Sequence, residues 1–431
     1  LVVDNGTPAL GFYQLASVRG TPVSGTFSQL TVQNMGVATV NAGDTLTLPV
    51  DVVSDADDLR GGIALRGGTL TMTSGTLTID DWTLYADAGG TQTFTGDIVV
   101  ADGGRIAHTD NGPSPNTQYV PSVPHSVYRM DLTVNGNVLI QSGGAIDATR
   151  RGFGGYNSLL LGPGYSTGAN GYGSGASYGG SGGQGYAGAV GPSYGSILAP
   201  ALPASAAELG VIDQSGGGAI RLTVNGALTV NGGIYADTDA VGGDGTRIPG
   251  ASGGSVFITA DSVDGTGGAI SANGDGGTHG YSGQGGGGRI AIVLTGSDTV
   301  GAGVTLAAYG GASNARVGAA GTIYIEGQGD GPGGGVITVD NNGKVNTGSP
   351  TQPFTLLPPS YDGTQSSYPF PEYGYSDDLS AATLILEDAA RVALTGDLAV
   401  AAAVLGTGTL LDLAGYTLTV FSFTDPDGDA W

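Results

Sequence analysis

The chain has no cysteine and a single lysine, Lys344. Without thiols, disulfides neither hold the fold together nor mark its compartment. Only 13 Lys+Arg stand against 37 Asp+Glu, a net charge of −24. Such a surface offers little to neutralise phosphates, which argues against a nucleic-acid partner, and it is repelled by anionic membranes. No apolar run approaches the ~18 residues that span a bilayer, so no membrane insertion is expected. Glutamate is scarce too. Glu208, Glu326, Glu372 and Glu387 are the only four, which leaves 37 − 4 = 33 Asp. Asp rather than Glu is the residue of turns, because its short side chain reaches the backbone two residues on.

What is abundant is glycine, 84 of 431 residues. Glycine without hydrophobic order reads as disorder. Here the glycines separate alternating β-branched runs, so they read as turns and close backbone approaches. Apolar strand starts recur at Leu222, Val256, Ile290 and Ile323, returns of 34, 34 and 33 residues. A period of this size, built from short alternating strands and glycine turns, marks a solenoid. One unit runs from Ser255 to Gly288. SVFITA is one strand, DSVDG a short second and AISANG a third, with the glycine run as a loop to the next coil. Leu132–Asp147 repeats Leu222–Asp237, with Leu132, Val134, Val138 and Ile140 matching Leu222, Val224, Leu228 and Val230.

The expected fold is therefore all-β, a right-handed parallel β-helix with an N-terminal β cap. Residues 1–62 read as capping or assembly strands, with Phe27–Val53 alternating like antiparallel or capping strands. Residues 63–421 read as the β-helix, with insertions at about 109–128, 152–215 and 346–380, and 422–431 as an acidic tail or linker. The second insertion is Gly/Tyr-rich and is expected to form an ordered flap, with one short helical turn in Ala199–Leu209. The third is Pro/Tyr-rich. The chain starts at Leu1 with no signal-peptide pattern, as expected of a processed or excised segment.

The texture of Ile270–Gly277 (ISANGDGG) followed by Gly285–Ile292 (GGGGRIAI) resembles the glycine-rich parallel β-helix regions of bacterial extracellular surface proteins and adhesins. The resemblance covers about Leu132–Val339. It implies surface location and self-association, attachment or envelope structure rather than a reaction.

Enzymatic alternatives lack their residues. The pectin-hydrolase family, which shares the β-helix, needs Gly-His-Gly and Arg-Ile-Lys. This chain has Thr278-His279-Gly280, and Lys follows none of the Arg-Ile pairs at Arg105, Arg247 and Arg289. The adjacent pairs Asp57-Asp58, Asp80-Asp81 and Asp377-Asp378 point to opposite faces of a strand, so they do not converge as hydrolysis requires. Arg289 and Arg316, the arginines available to a lyase, sit in repeat turns. His108, His125 and His279 lie in different loops without zinc spacing. Calcium is the candidate cation: Asp425, Asp427 and Asp429 alternate around Gly428 as in calcium loops, with Asp237, Asp239 and Asp244 a weaker set. Tyr165, Tyr172, Tyr178 and Tyr186 are candidates for glycan binding or for packing. The expected function is non-enzymatic and extracellular: a self-assembling subunit of a surface layer, sheath, filament or adhesin stalk. A carbohydrate-binding adhesin and a β-helical polysaccharide lyase or hydrolase are the alternatives.

Overall fold

A computed structural model describes residues 1–4, 21–33, 36–48, 53–54, 61–72, 75–87, 91–111, 128–154, 162–166, 172–207, 215–238, 248–276, 281–312, 316–345, 353–360 and 377–425. Among these the protein is all-β, with no helix and therefore none that is long and apolar enough to cross a membrane. A 13-stranded and a 9-stranded sheet carry most of the strands, and three 3-stranded sheets take the remainder. Pairing is parallel throughout the 9-stranded sheet. In the 13-stranded sheet a single pair is antiparallel, Thr322–Glu326 with Val336–Asp340.

The chain returns to each sheet on successive passes, in a register set by inward aliphatic residues. The match between Leu132–Asp147 and Leu222–Asp237 holds residue for residue as far as Ile140: Leu132 pairs with Leu222, Val134 with Val224, Val138 with Leu228 and Ile140 with Val230. At Ala145–Asp147 the register slips by two, so that Asp147 lies beside Tyr235, not Asp237. The next return differs from the spacing read in the sequence. Val256 lies beside Ile220, not Leu222, and Ile258 beside Leu222. Both are inward, so a two-residue slip keeps the buried face buried, and apolar periodicity alone does not separate the two registers. SVFITA and DSVDG also run on as one strand, Ser255–Asp264.

Of the two readings of Phe27–Val53, antiparallel or capping strands, the described strands of residues 1–62 depart from the antiparallel one. Val37–Asn41 pairs parallel with Gly62–Arg66, and Thr45–Leu48 pairs parallel with Thr69–Met72. Their alternation reports one buried face and carries no information on direction. Nor is Ala199–Ala207 helical. Pro200 and Pro203 lack the N–H that a turn of helix needs, and Ala204 exchanges backbone bonds with Phe153 and Gly217 instead.

Most of the buried apolar side chains fall in two large clusters, with two small ones beside them. One of the large clusters runs from Val3 to Ile323, the other is built mainly from Ile337 to Leu411. They meet at the antiparallel pair and occupy opposite faces of the same sheet. Ile220, Val256, Ile290 and Ile323 lie in register and face the first cluster, and the row continues into the half-buried Thr338 and Ile385. The adjacent row does the reverse. It begins at the exposed Arg221, whose guanidinium lies 5.9 Å from the Phe257 ring centroid. It then passes through Ala291, Tyr324, Ile337 and Leu384, all inside the second cluster. Neighbouring residues on a strand point to opposite faces, so one strand, Thr322–Glu326, closes the first core with Ile323 and opens the second with Tyr324. Glu326 clasps this joint, accepting from the Tyr324 hydroxyl at 2.5 Å and from Gly333 N at 2.7 Å.

The glycine run that the sequence presents as a connecting loop is a hydrogen-bonded element of its own. Gly283 N donates to Gly173 O, Gln284 N to Arg316 O and Gly285 N to Asp275 O. Three residues later the directions recur: Gly286 N donates to Ala176 O, Gly287 N to Ala319 O and Gly288 N to Ala272 O. A β-strand bonds in two directions. Bonding in three, with a repeat of three residues, is the geometry of an extended threefold helix of the polyproline-II type, and none of these glycines has positive φ. Between these bonding directions other stretches of backbone close on the run so tightly that a Cβ has no room. One added to Gly285 meets Ala251 O at 1.6 Å, and one added to Gly321 meets Gly288 O at 1.7 Å.

Gly285→Ala is expected to cost about 3 kcal/mol or more, since backbone must move and hydrogen bonds on both sides of the run are disturbed. Gly331→Ala, where an added Cβ meets nothing within 4 Å, should stay within about 0.5 kcal/mol. Urea denaturation of both variants checks this, and equal losses would remove the close-packed glycine array from the account.

Candidate functional site

The aspartates explain themselves first. At the corners between strands their carboxylates, and the side-chain carbonyl oxygens of asparagines, accept backbone N–H groups of the following pass. Asp97 accepts from Asn137 N at 2.7 Å, and Asn137 in turn accepts from Ala227 N at 3.0 Å. Asp237 accepts from Asn273 N at 2.6 Å and Asn273 from Tyr309 N at 2.8 Å. Asp298 and Asp397 do the same for Gly329 N and Thr417 N, each at 2.8 Å. A corner breaks the sheet ladder and leaves its donors unpaired, and a short side-chain acceptor restores the bond. Glu is too long to do this, which accounts for the bias toward Asp.

Two buried polar groups lie behind the 9-stranded sheet. His108 is fully buried: Nδ1 lies 2.7 Å from Thr109 O and Nε2 accepts from Ala219 N at 3.2 Å. Those partners fix the neutral tautomer with the proton on Nδ1. Burial, reinforced by the Arg151 charge, pushes the imidazole down to about 3. Asp87 accepts from Thr109 N and Thr109 Oγ1 at 2.5 and 2.7 Å, and burial raises its carboxyl above the usual range. Burial likewise raises Asp237, where the nearby Asp147 charge adds to the effect. Each of these groups is bonded to backbone donors or acceptors.

The tyrosines separate into two sets. Tyr178 is fully buried and packs edge-to-face on Tyr194, with ring centroids 4.6 Å apart. The Arg289 guanidinium lies 5.7 Å from the Tyr178 ring centroid, donates from Nε to Tyr194 O at 3.1 Å and from Nη1 to Thr322 Oγ1 at 3.0 Å. Tyr194 Oη donates to Pro203 O at 2.8 Å. Burial pushes the Tyr178 phenol up to about 12, so it stays neutral. Of packing and ligand binding, Tyr178 performs packing: together with Tyr194 and Arg289 it fastens segment 172–207 to the outer face of the large sheet. Arg289, a candidate base by sequence, is wholly enclosed in this contact. Arg316 is buried as well and donates to Gln184 O at 2.8 Å.

Tyr172 and Tyr186 form the second set and are joined by Tyr281, which sequence reasoning missed. The three rings meet edge-to-face, with centroids 5.9 to 6.3 Å apart. Tyr186 is 75% exposed and Tyr281 53%. The clue was available: Tyr281-Ser-Gly-Gln284-Gly repeats the composition of Ser181-Gly-Gly-Gln184-Gly-Tyr186. Tyr165 is half-buried.

A cleft of about 390 Å³ separates segment 172–207 from residues 353–360, with Gln184, Pro192, Phe354 and Ser360 among its lining. Among the described residues no carboxylate, imidazole or amine lines it. Asp377 accepts from Ser196 Oγ at 2.7 Å and from Ile197 N at 2.5 Å, tying the same segment to the later chain. Among the described residues no three His, Asp or Glu side chains gather into a metal-holding set. Asp425 lies just past the strand Leu418–Thr424, whereas Asp427, Asp429, Asp239, Asp244, His125 and His279 fall outside the described residues. The sequence matches no protein-family model and no curated protein.

The His108 geometry yields a pH dependence of fixed sign. The unfolded chain protonates this imidazole near 6.5 and the folded chain only near 3. The His108 contribution is therefore complete above pH 6.5 and is lost as pH falls toward 3, at up to about 1.4 kcal/mol per pH unit. The raised Asp87 and Asp237 act oppositely, favouring the folded state as pH falls through their elevated values. Urea titrations between pH 7 and 4.5 should show His108→Gln with a flatter decline than the wild type, whatever its baseline stability. Identical slopes would place the histidine outside the buried network.

Proposed function

We propose that the protein is a non-enzymatic, extracellular structural subunit that assembles with copies of itself into a layer, sheath, filament or stalk. In this reading the parallel sheets are the faces of a right-handed β-helix, and the second cluster is a further stretch of the same architecture reached through the antiparallel joint. Stiffness comes from continuous backbone ladders and from the glycine array braced along their flank.

The observation that carries the reading is the strand Leu418–Thr424. It pairs along one edge with Leu398–Leu405, and among the described residues nothing pairs with its other edge. Phe421 on that strand is 88% exposed. An unpaired seven-residue edge with an exposed aromatic is a template for another strand. The employment of the buried titratable groups in backbone bonds, and a cleft that no titratable group among the described residues lines, favour a structural role over catalysis.

Sedimentation velocity across a hundredfold range of concentration tests this. Larger species should grow with concentration, and Phe421→Asp should shift their onset at least about tenfold upward in concentration, one decade of affinity or about 1.4 kcal/mol, while leaving the melting temperature within a few degrees. A wild-type protein that stays strictly monomeric would overturn the proposal.

A further inference from the structure

The geometry points to Tyr172, Tyr186 and Tyr281 as a binding site for a neutral oligosaccharide, independent of the assembly edge. The three residues come from two separate stretches of chain, yet their backbones are laced together. Tyr186 N donates to Tyr281 O at 3.0 Å and Ala187 N to Tyr172 O at 2.9 Å. Gly185 N donates to Ser174 Oγ at 3.1 Å, and Gly283 N to Gly173 O at 3.0 Å, so the cluster sits directly on the glycine array. The rings are thus held in place before any ligand arrives, which lowers the entropy cost of binding.

Exposure of this kind needs a reason, because tyrosine gains stability by burial and its neighbours Tyr178 and Tyr194 are fully buried. The chemistry of the surroundings selects the occupant. A stable protein interface buries upwards of about 1,000 Å² and encloses its aromatic anchors in a rim of other side chains. Among the described residues the exposed positions nearest Tyr186 in the chain are Gln184, Gly188 and Ala189, which offer a carboxamide and almost no apolar rim. Three rings with centroids 5.9 to 6.3 Å apart suit one or two pyranose rings, whose C–H faces lie against aromatic faces while their hydroxyls meet the phenols. The net charge of −24 disfavours uronic acids and sulfated glycans, which leaves neutral sugars.

The test uses the full chain and tetrasaccharides of glucose, galactose and N-acetylglucosamine, with tetragalacturonate as the acidic arm, each titrated calorimetrically. At least one neutral tetrasaccharide should bind with a Kd on the order of 0.1–1 mM. Tyr186→Ala/Tyr281→Ala should weaken it at least tenfold at unchanged melting temperature, whereas Tyr186→Phe/Tyr281→Phe, which keeps the ring faces, should weaken it less than threefold. Binding of no neutral sugar, preference for tetragalacturonate, or indifference to the alanine variant would each overturn the assignment. So would an alanine variant that alters sedimentation but not sugar binding, since the rings would then serve contacts between copies. The Phe421→Asp protein should bind the sugar as the wild type does, so failure of assembly and failure of this site are separable.

Discussion

Every part of this structure answers to the need to pair backbone N–H and C=O groups between successive passes of one chain. Parallel strands stack at about 4.8 Å and leave no slack in that direction. Where the chain runs straight, the ladder pairs itself. Where it turns, Asp and Asn side chains supply the missing acceptors, as Asp97 and Asn137 do in sequence. Where passes crowd together beside the sheet, side chains must vanish altogether, and the run Gly283–Gly288 bonds in three directions with only Gln284 bearing a side chain. Glycine abundance and aspartate abundance are two solutions to the same pairing problem.

Among the described strands the antiparallel joint is the one strand pair that reverses direction, and it changes which face of the sheet is buried. Ile323 and Tyr324 are neighbours in sequence and belong to different cores. A sheet face turned outward in the first part, with Arg221 over Phe257, becomes the floor of the second core at Tyr324 and Ile337. Segment 172–207 occupies the ground between. Ile197 joins the second cluster, and Tyr178, Tyr194 and Arg289 fix the rest of the segment to the sheet. That segment links the two parts as well as carrying surface tyrosines.

Electrostatics follow from the same economy of roles. A charge of −24 is tolerable because most corner carboxylates are hydrogen-bonded near solvent, where repulsion is screened. The few that are buried, Asp87 and Asp237, shift upward instead. His108 shifts downward for the same reason. In all three the largest cause of the displacement is burial.

The sequence by itself determined the all-β character, the inward aliphatic rows and the register of Leu132–Ile140 on Leu222–Val230. Period-two alternation with matched turns leaves little freedom there. Several things lay beyond it. Strand direction in residues 1–62 and the two-residue slip at Ile220–Val256 preserve the same buried pattern, so alternation cannot distinguish them from their alternatives. Tyr178 and Tyr186 have the same glycine-rich surroundings in sequence and opposite fates, because burial depends on segments more than a hundred residues away, such as Arg289. Only the tertiary structure decided that glycines form a threefold array, since each bond of that array joins stretches of chain whose proximity no local pattern encodes.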